Sequence, residues 1–216
     1  MSLLLYGHAF SSYCQKAIVA LYENETPFEF REVNLGDETS RNAFRAIWPM
    51  GKMPVLRDEA RGVAVPEATI IIEYLDAHYP GAVRFLPPNP DLAWRARLRD
   101  RFYDLHVQDP MQRIVSDRLR PADAKDPTGV AAAHAALQTA YEWIEQDMAG
   151  KTWAMGDAFT LADCAAAPAL FYADLVEPLG DAFPNTAGYL ARLNARPSFA
   201  RATAEAAYFM PHFPKP

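Results

Sequence analysis

The chain opens on an unbroken apolar run from Leu3 that Gly7 ends, the pattern of a short buried strand. The period then changes. Tyr13, Ala17, Ala20 and Leu21 recur at helical spacing, with Gln15, Lys16 and Glu23 outside the stripe. Ser11 and Ser12 stand at the junction, where either is a natural helix cap. Thr26-Pro27 breaks the pattern, and Phe28, Phe30 and Val33 give a second short strand. Past a polar turn over Gly36 to Ser40, Ala43, Phe44 and Ile47 form a brief helical face that Trp48-Pro49 should end, because the residue before a proline is pushed out of the helical region. Gly51 to Leu56 reads as a turn and a strand, and Arg61-Gly62 as a hairpin turn into Val63 to Val65. Pro66-Glu67 then opens a helix with Ile71, Leu75 and Tyr79 on one face, so the order is β-α-β-α-β-β-α.

Pro80, Pro87, Pro88 and Pro90 crowd one short segment without periodicity, the mark of a stiff linker at a domain boundary. Beyond it only helical patterns appear: Trp94, Leu98, Phe102 and Leu105 make one stripe, and Ala133, Leu137, Ala140, Ile144 and Met148 another. Thr160 and Asp163 have capping-box spacing, and further helices are expected over Thr186 to Leu193 and Ser198 to Ala207. The expected organisation is an α/β domain over residues 1–80, a linker over 81–90 and an all-helical domain over 91–216. A length of 216 residues suffices to bury two cores. With half the residues hydrophobic and 22% charged, the composition is that of a globular protein. The net charge of −6 argues against a nucleic-acid partner, and no apolar run is long enough for a membrane span. Without a signal-peptide pattern and with only Cys14 and Cys164, the chain is expected in the reducing cytoplasm.

Candidate chemistry begins at the Ser11-Ser12 junction. A helix N-terminus offers free N–H donors and partial positive charge to an anion, and a serine hydroxyl adds one more donor. The plain alternative is that both serines only cap. Cys14 sits where a C-x-x-C motif would have its second cysteine, but the first is Ser11, so an inert thiol and a redox thiol are both open readings. Arg95, Arg97, Arg99 and Arg101, interleaved with Asp100 and Asp104, read as a solvated or ion-paired face. His8, His78, His106, His134 and His212 lack ligand spacing, so no metal is expected. Asp163 reads as a structural cap. Tyr208, Phe209 and Phe213 either pack or roof a site.

Ser11-Ser12-Tyr13-Cys14 after a first strand, Gly51-Lys52-Met53-Pro54-Val55-Leu56, Pro66-Glu67-Ala68-Thr69-Ile70, the proline-rich linker and Phe159-Thr160-Leu161-Ala162-Asp163 together resemble cytosolic glutathione S-transferases of the serine-type, bacterial-like form. The resemblance covers nearly the whole chain. It implies a thioredoxin-like N-terminal domain that binds glutathione, an all-α C-terminal domain that supplies an apolar second site, and a twofold homodimer. Ser11 then takes the position of the catalytic serine, donating to the glutathione thiolate, with Tyr6 and Ser12 as alternative thiol contacts. A cis bond at Met53-Pro54, possible at modest cost only before proline, would present the Met53 backbone to the cysteinyl part. Glu67 would grip the γ-glutamyl ammonium, but the Ser or Thr that usually follows, to hold the carboxylate, is Ala68 here. Lys52 reads equally as a contact for the glycyl carboxylate and as a solvated turn residue. Tyr6, Phe10, Tyr103 and Met111 are expected around the second substrate. The implied activity is thiolate conjugation to a small apolar electrophile. A glutathione-dependent redox or isomerase enzyme and a non-catalytic binding module remain as rivals.

Overall fold

The computed structural model describes residues 2–215. A four-stranded sheet is formed by β1 (Leu3–Gly7), β2 (Glu29–Glu32), β3 (Val55–Asp58) and β4 (Val63–Pro66), in the spatial order β2-β1-β3-β4. β1 runs parallel to β2 and antiparallel to β3, and Leu5 is in register with Phe30 on one side and Leu56 on the other. The parallel β1–β2 pair requires a crossover, which α1 (Ser12–Glu23) provides. α2 (Glu38–Ile47) stops at Trp48, before Pro49, and α3 (Ala68–His78) follows β4. The helical remainder comprises α4 (Pro90–Phe102), a π-helical segment (Tyr103–Gln108), α5 (Asp109–Arg118), α6 (Pro127–Asp147), α7 (Leu161–Asp174), α8 (Pro184–Ala195) and α9 (Pro197–Ala206), with a 3-10 tail over Ala207–His212.

α7 is the central post. It is apolar all round and alanine-rich, and it is buried from Leu161 to Leu170, the state expected of a helix with no polar face. Its first turn is closed by the capping box of Thr160 and Asp163, as the spacing implied. Asp163 also accepts from the Ala154 amide at 2.8 Å and the Tyr189 hydroxyl at 2.6 Å. α1 packs between α7, α9 and α3, so the helix that follows Ser11 is held by both halves of the chain.

Three expectations from patterning are corrected. Gln15 and Lys16, outside the apolar stripe of α1, are fully buried, because their partners are polar and distant in sequence. Gln15 Nε2 donates to the Ala9 carbonyl at 3.0 Å and to the Tyr172 hydroxyl at 3.1 Å, while Lys16 Nζ lies 2.7 Å from Asp100 and 2.8 Å from Asp104. Asp100 and Asp104 are accordingly buried and ion-paired, so of the two readings of that run the ion-paired one holds for them and the solvated one does not. The Trp94, Leu98 and Leu105 stripe points outward, each residue about half exposed, because the inward face of that helix is the one carrying Ala96, Asp100, Tyr103 and Asp104. The arginines beside it are ion-paired as expected, Arg97 with Glu73 and Arg99 with Asp147.

Candidate functional site

Ser11 has extended backbone and is the N-cap of α1: its Oγ accepts from the Cys14 amide at 3.4 Å and its carbonyl from the Gln15 amide at 2.9 Å. Ser12 is the first helical residue and has no capping role, which settles in favour of Ser11 the choice of cap that the sequence left open. A serine N-cap accepts through its lone pairs, so the Ser11 proton is still available to a ligand. The first turn of α1 carries no acidic residue, so the positive end of the helix is not cancelled locally.

Ser11 opens onto an apolar cavity of about 480 Å³ with Phe10, Ser12, Tyr13 and Met111 in its wall. Tyr172 and the tail residues Phe209 and Phe213 complete it, and Phe213 stacks on Tyr172 with ring centroids 6.0 Å apart. The tail is tied down by Arg118, which donates to the Pro214 carbonyl at 2.9 Å. A separate polar hollow of about 360 Å³ is lined by Lys52, Met53, Pro54, Glu67 and Ala68 from the sheet half and by Arg101 and Asp104 from the helical half. The Met53-Pro54 bond is cis. Glu67 stands before α3 with φ +68°, a conformation that costs a non-glycine residue about 1–3 kcal/mol and that clusters at binding sites. Tyr13 lies in the wall of both spaces. A shallow third hollow, with His8, Ser11, Asn34 and Met53 in its wall, connects Ser11 to the Met53 turn.

The structure thus brings Ser11, Ser12, Phe10 and Met111 to one space and Lys52, Met53, Pro54, Glu67 and Ala68 to its neighbour. Two expected pocket residues lie elsewhere. Tyr6 packs with Val33, Phe44 and Val55, because alternation along β1 sends it to the sheet face opposite Leu5. Tyr103 is 1% exposed and faces Tyr189 and Asp163 in the helical core, on the inward side of the π-helical segment. Tyr208, raised as a roof residue, is exposed and lines neither space. Sequence reading missed Tyr13, Arg101 and Asp104. The Tyr13 signal was present, since it follows Ser11 by two residues, but its apolar stripe suggested only core.

Electrostatics assign states to several groups. Burial pushes the Cys14 thiol up to about 11, against the lowering effect of hydrogen bonds with Ser11 and the His8 amide. Cys14 is therefore a neutral thiol at neutral pH. Tyr13 is raised well above the ordinary phenol range, first by burial and then by Asp104 and Asp109, so it is a hydrogen-bond donor and not a base. Among the described residues no group of His, Cys, Asp and Glu could hold a metal ion.

The family of glutathione S-transferase N-terminal domains matches residues 5–83, and that of glutathione S-transferase C-terminal domains matches residues 127–192. A glutathione S-transferase-like protein from Fusarium sp is 30% identical over 169 residues, covering 77% of this chain and 73% of its own length. A probable maleylacetoacetate isomerase from Vibrio cholerae is 27% identical, with 95% of this chain and 97% of the relative covered. Among solved structures, a glutathione S-transferase from Methylobacterium radiotolerans in complex with glutathione sulfonate is similar with a TM-score of 0.82 and 28% identity, over 94% of each chain.

Proposed function

The chain belongs to the glutathione S-transferase superfamily, and on that premise we propose that it activates glutathione as a thiolate at Ser11 and transfers the sulfur to a small, uncharged, largely apolar electrophile. The observation that carries this reading is the place of Ser11: a free hydroxyl proton at an uncancelled helix N-terminus, in the wall of the apolar cavity and connected through the Met53 turn to the polar hollow. Glutathione in this reading lies across the polar hollow, its γ-glutamyl end at Glu67 and Ala68, its cysteinyl part at Met53 and Pro54, and its thiol at Ser11, with Lys52 and Ser12 at the margins. The thiol proton leaves to water, the hydroxyl of Ser11 donates to the sulfur, and the sulfur forms a bond to carbon as the leaving group departs with its bonding pair or, for an enone or epoxide, as the double bond or ring opens and the resulting anion takes a proton from water. Lowering a thiol pKa from about 8.5 by about two units takes about 2.7 kcal/mol of preferential thiolate stabilisation, within the combined reach of a charge-assisted hydrogen bond and a helix terminus.

The wall of the apolar cavity holds no lysine or arginine among the described residues, and beside His212 and a few hydroxyl and amide groups it is apolar, which favours an uncharged second substrate. A thiol-redox reading is disfavoured by Cys14, buried and held protonated. Trp94, Leu98 and Leu105, each about half exposed along one stripe, offer an apolar surface to a second copy, in line with a twofold homodimer. The test is a panel of neutral and anionic electrophiles, with glutathione binding measured calorimetrically. Turnover of neutral aryl halides, epoxides or enones is the expected result. Turnover confined to anionic substrates, or no glutathione binding at cytosolic concentration, would overturn it.

A further inference from the structure

A carboxylate entering the polar hollow meets no free hydroxyl at the start of α3. Position 68 is alanine, and the neighbouring hydroxyl is already committed: Thr69 Oγ1 accepts from Lys16 Nζ at 2.9 Å and gives its one proton to Asp100 Oδ2 at 2.8 Å. The turn residue Lys52 is one cation in the wall. The other comes from the helical half. Arg101 lines the same hollow with its side chain 53% exposed, and its one ion-pair contact among the described residues is a long one, 3.3 Å to Asp104 Oδ2. Asp104 does not depend on that contact, because Lys16 holds both of its oxygens at 2.9 and 2.8 Å. Lys16 also lies 2.7 Å from Asp100, so it bridges both carboxylates behind the hollow, and Arg101, with one long contact through a single nitrogen, keeps most of its donors unspent. Glu67, Arg101 and Asp104 share the wall of this hollow with Tyr13, so cation and carboxylates face one space.

We propose that Arg101 is the anchor for the α-carboxylate of a bound γ-glutamyl group, replacing the hydroxyl that position 68 lacks, while Glu67 and Asp104 flank the adjoining ammonium. A planar guanidinium matches a carboxylate in a two-point contact, which a single hydroxyl cannot offer. Lys16 is a positioning residue in this arrangement: it touches no ligand, but it fixes Asp104 and thereby leaves Arg101 free. The inference rests on the reading that the hollow takes glutathione.

The test is calorimetric titration of the full chain with two ligands: glutathione, and its analogue with a 4-aminobutanoyl group in place of γ-glutamyl, which lacks only the α-carboxylate. The unmodified chain should prefer glutathione by about tenfold or more, the size of one charge-assisted contact. Arg101→Gln should bring the two affinities to within about twofold. Arg101→Lys, which keeps the charge but not the fork, should fall between, and it decides the matter if Arg101→Gln does not fold. An Arg101→Gln or Arg101→Lys protein that keeps the full preference overturns the assignment while leaving the transferase reading in place. An unmodified chain that binds glutathione and its analogue equally well also overturns the assignment alone, whereas one that binds neither overturns both.

Discussion

The apolar cavity and the polar hollow share Tyr13 yet are built on different principles. The cavity is walled by side chains that pack: Phe10, Met111, Tyr172 and a tail held by aromatic contacts and by Arg118. The hollow is walled by a turn, a strained residue before a helix, and charged side chains of which Asp104 is held by a buried lysine. A wall of dispersion contacts tolerates change in shape, whereas a wall of buried charge does not, because removing one partner leaves the others unsolvated. In the proposed reading one side takes varied substrates and the other a single invariant one.

Lys16→Met should break that contrast most severely. With Asp100 and Asp104 left unpaired, the folded state should lose about 3–5 kcal/mol in urea unfolding. Asp100 is raised, first by burial, against the lowering pull of Lys16. A carboxyl raised in the folded state contributes stability below its unfolded pKa and loses it as pH rises through the folded value. The deficit of Lys16→Met should therefore be greatest at neutral pH and shrink on acidification towards about pH 4, where Asp100 is protonated in the folded state. An equal deficit at every pH would mean that the charges do not matter.

Ser11→Ala tests the link from the apolar cavity to the Met53 turn. Conjugation at pH 7 should fall about tenfold, equivalent to about 1.4 kcal/mol, and the loss should shrink as pH rises because thiolate then forms unaided. The same change removes the α1 cap, costing about 1 kcal/mol of stability. Ser12→Ala should show neither effect, and a crippled Ser12→Ala with a normal Ser11→Ala would shift the thiol contact by one residue.

On the apolar side, Phe213→Ala should raise KM for an aryl substrate about three- to tenfold, the value of one aromatic contact, with glutathione affinity unchanged. A matching loss of glutathione affinity would show that the two spaces are not independent. Ala68→Ser should tighten glutathione by about 0.5–1.5 kcal/mol. The smallest effect is expected for Cys14→Ala, which should keep most conjugating activity. The native Cys14 should resist thiol reagents at neutral pH, and rapid labelling in the folded protein would contradict its raised pKa.

What was legible in the sequence was local. Ser11 as a helix boundary, the Met53-Pro54 turn, the Thr160–Asp163 box and the apolar stripe through Leu137 and Ile144 each depend on residues a few positions apart, and each appears in the fold. These short-range rules determined the element order, and the motifs in sequence determined the family. Only the tertiary structure decided that Lys16 is interior, that Trp94 and Leu98 are exterior, that Tyr103 belongs to the core and that Arg101 faces the polar hollow. The reason is physical. Whether a polar side chain is buried depends on a partner of complementary charge, and here Lys16 and Asp104 are brought together by the packing of α1 against the helical half, a contact that no periodicity along either segment encodes.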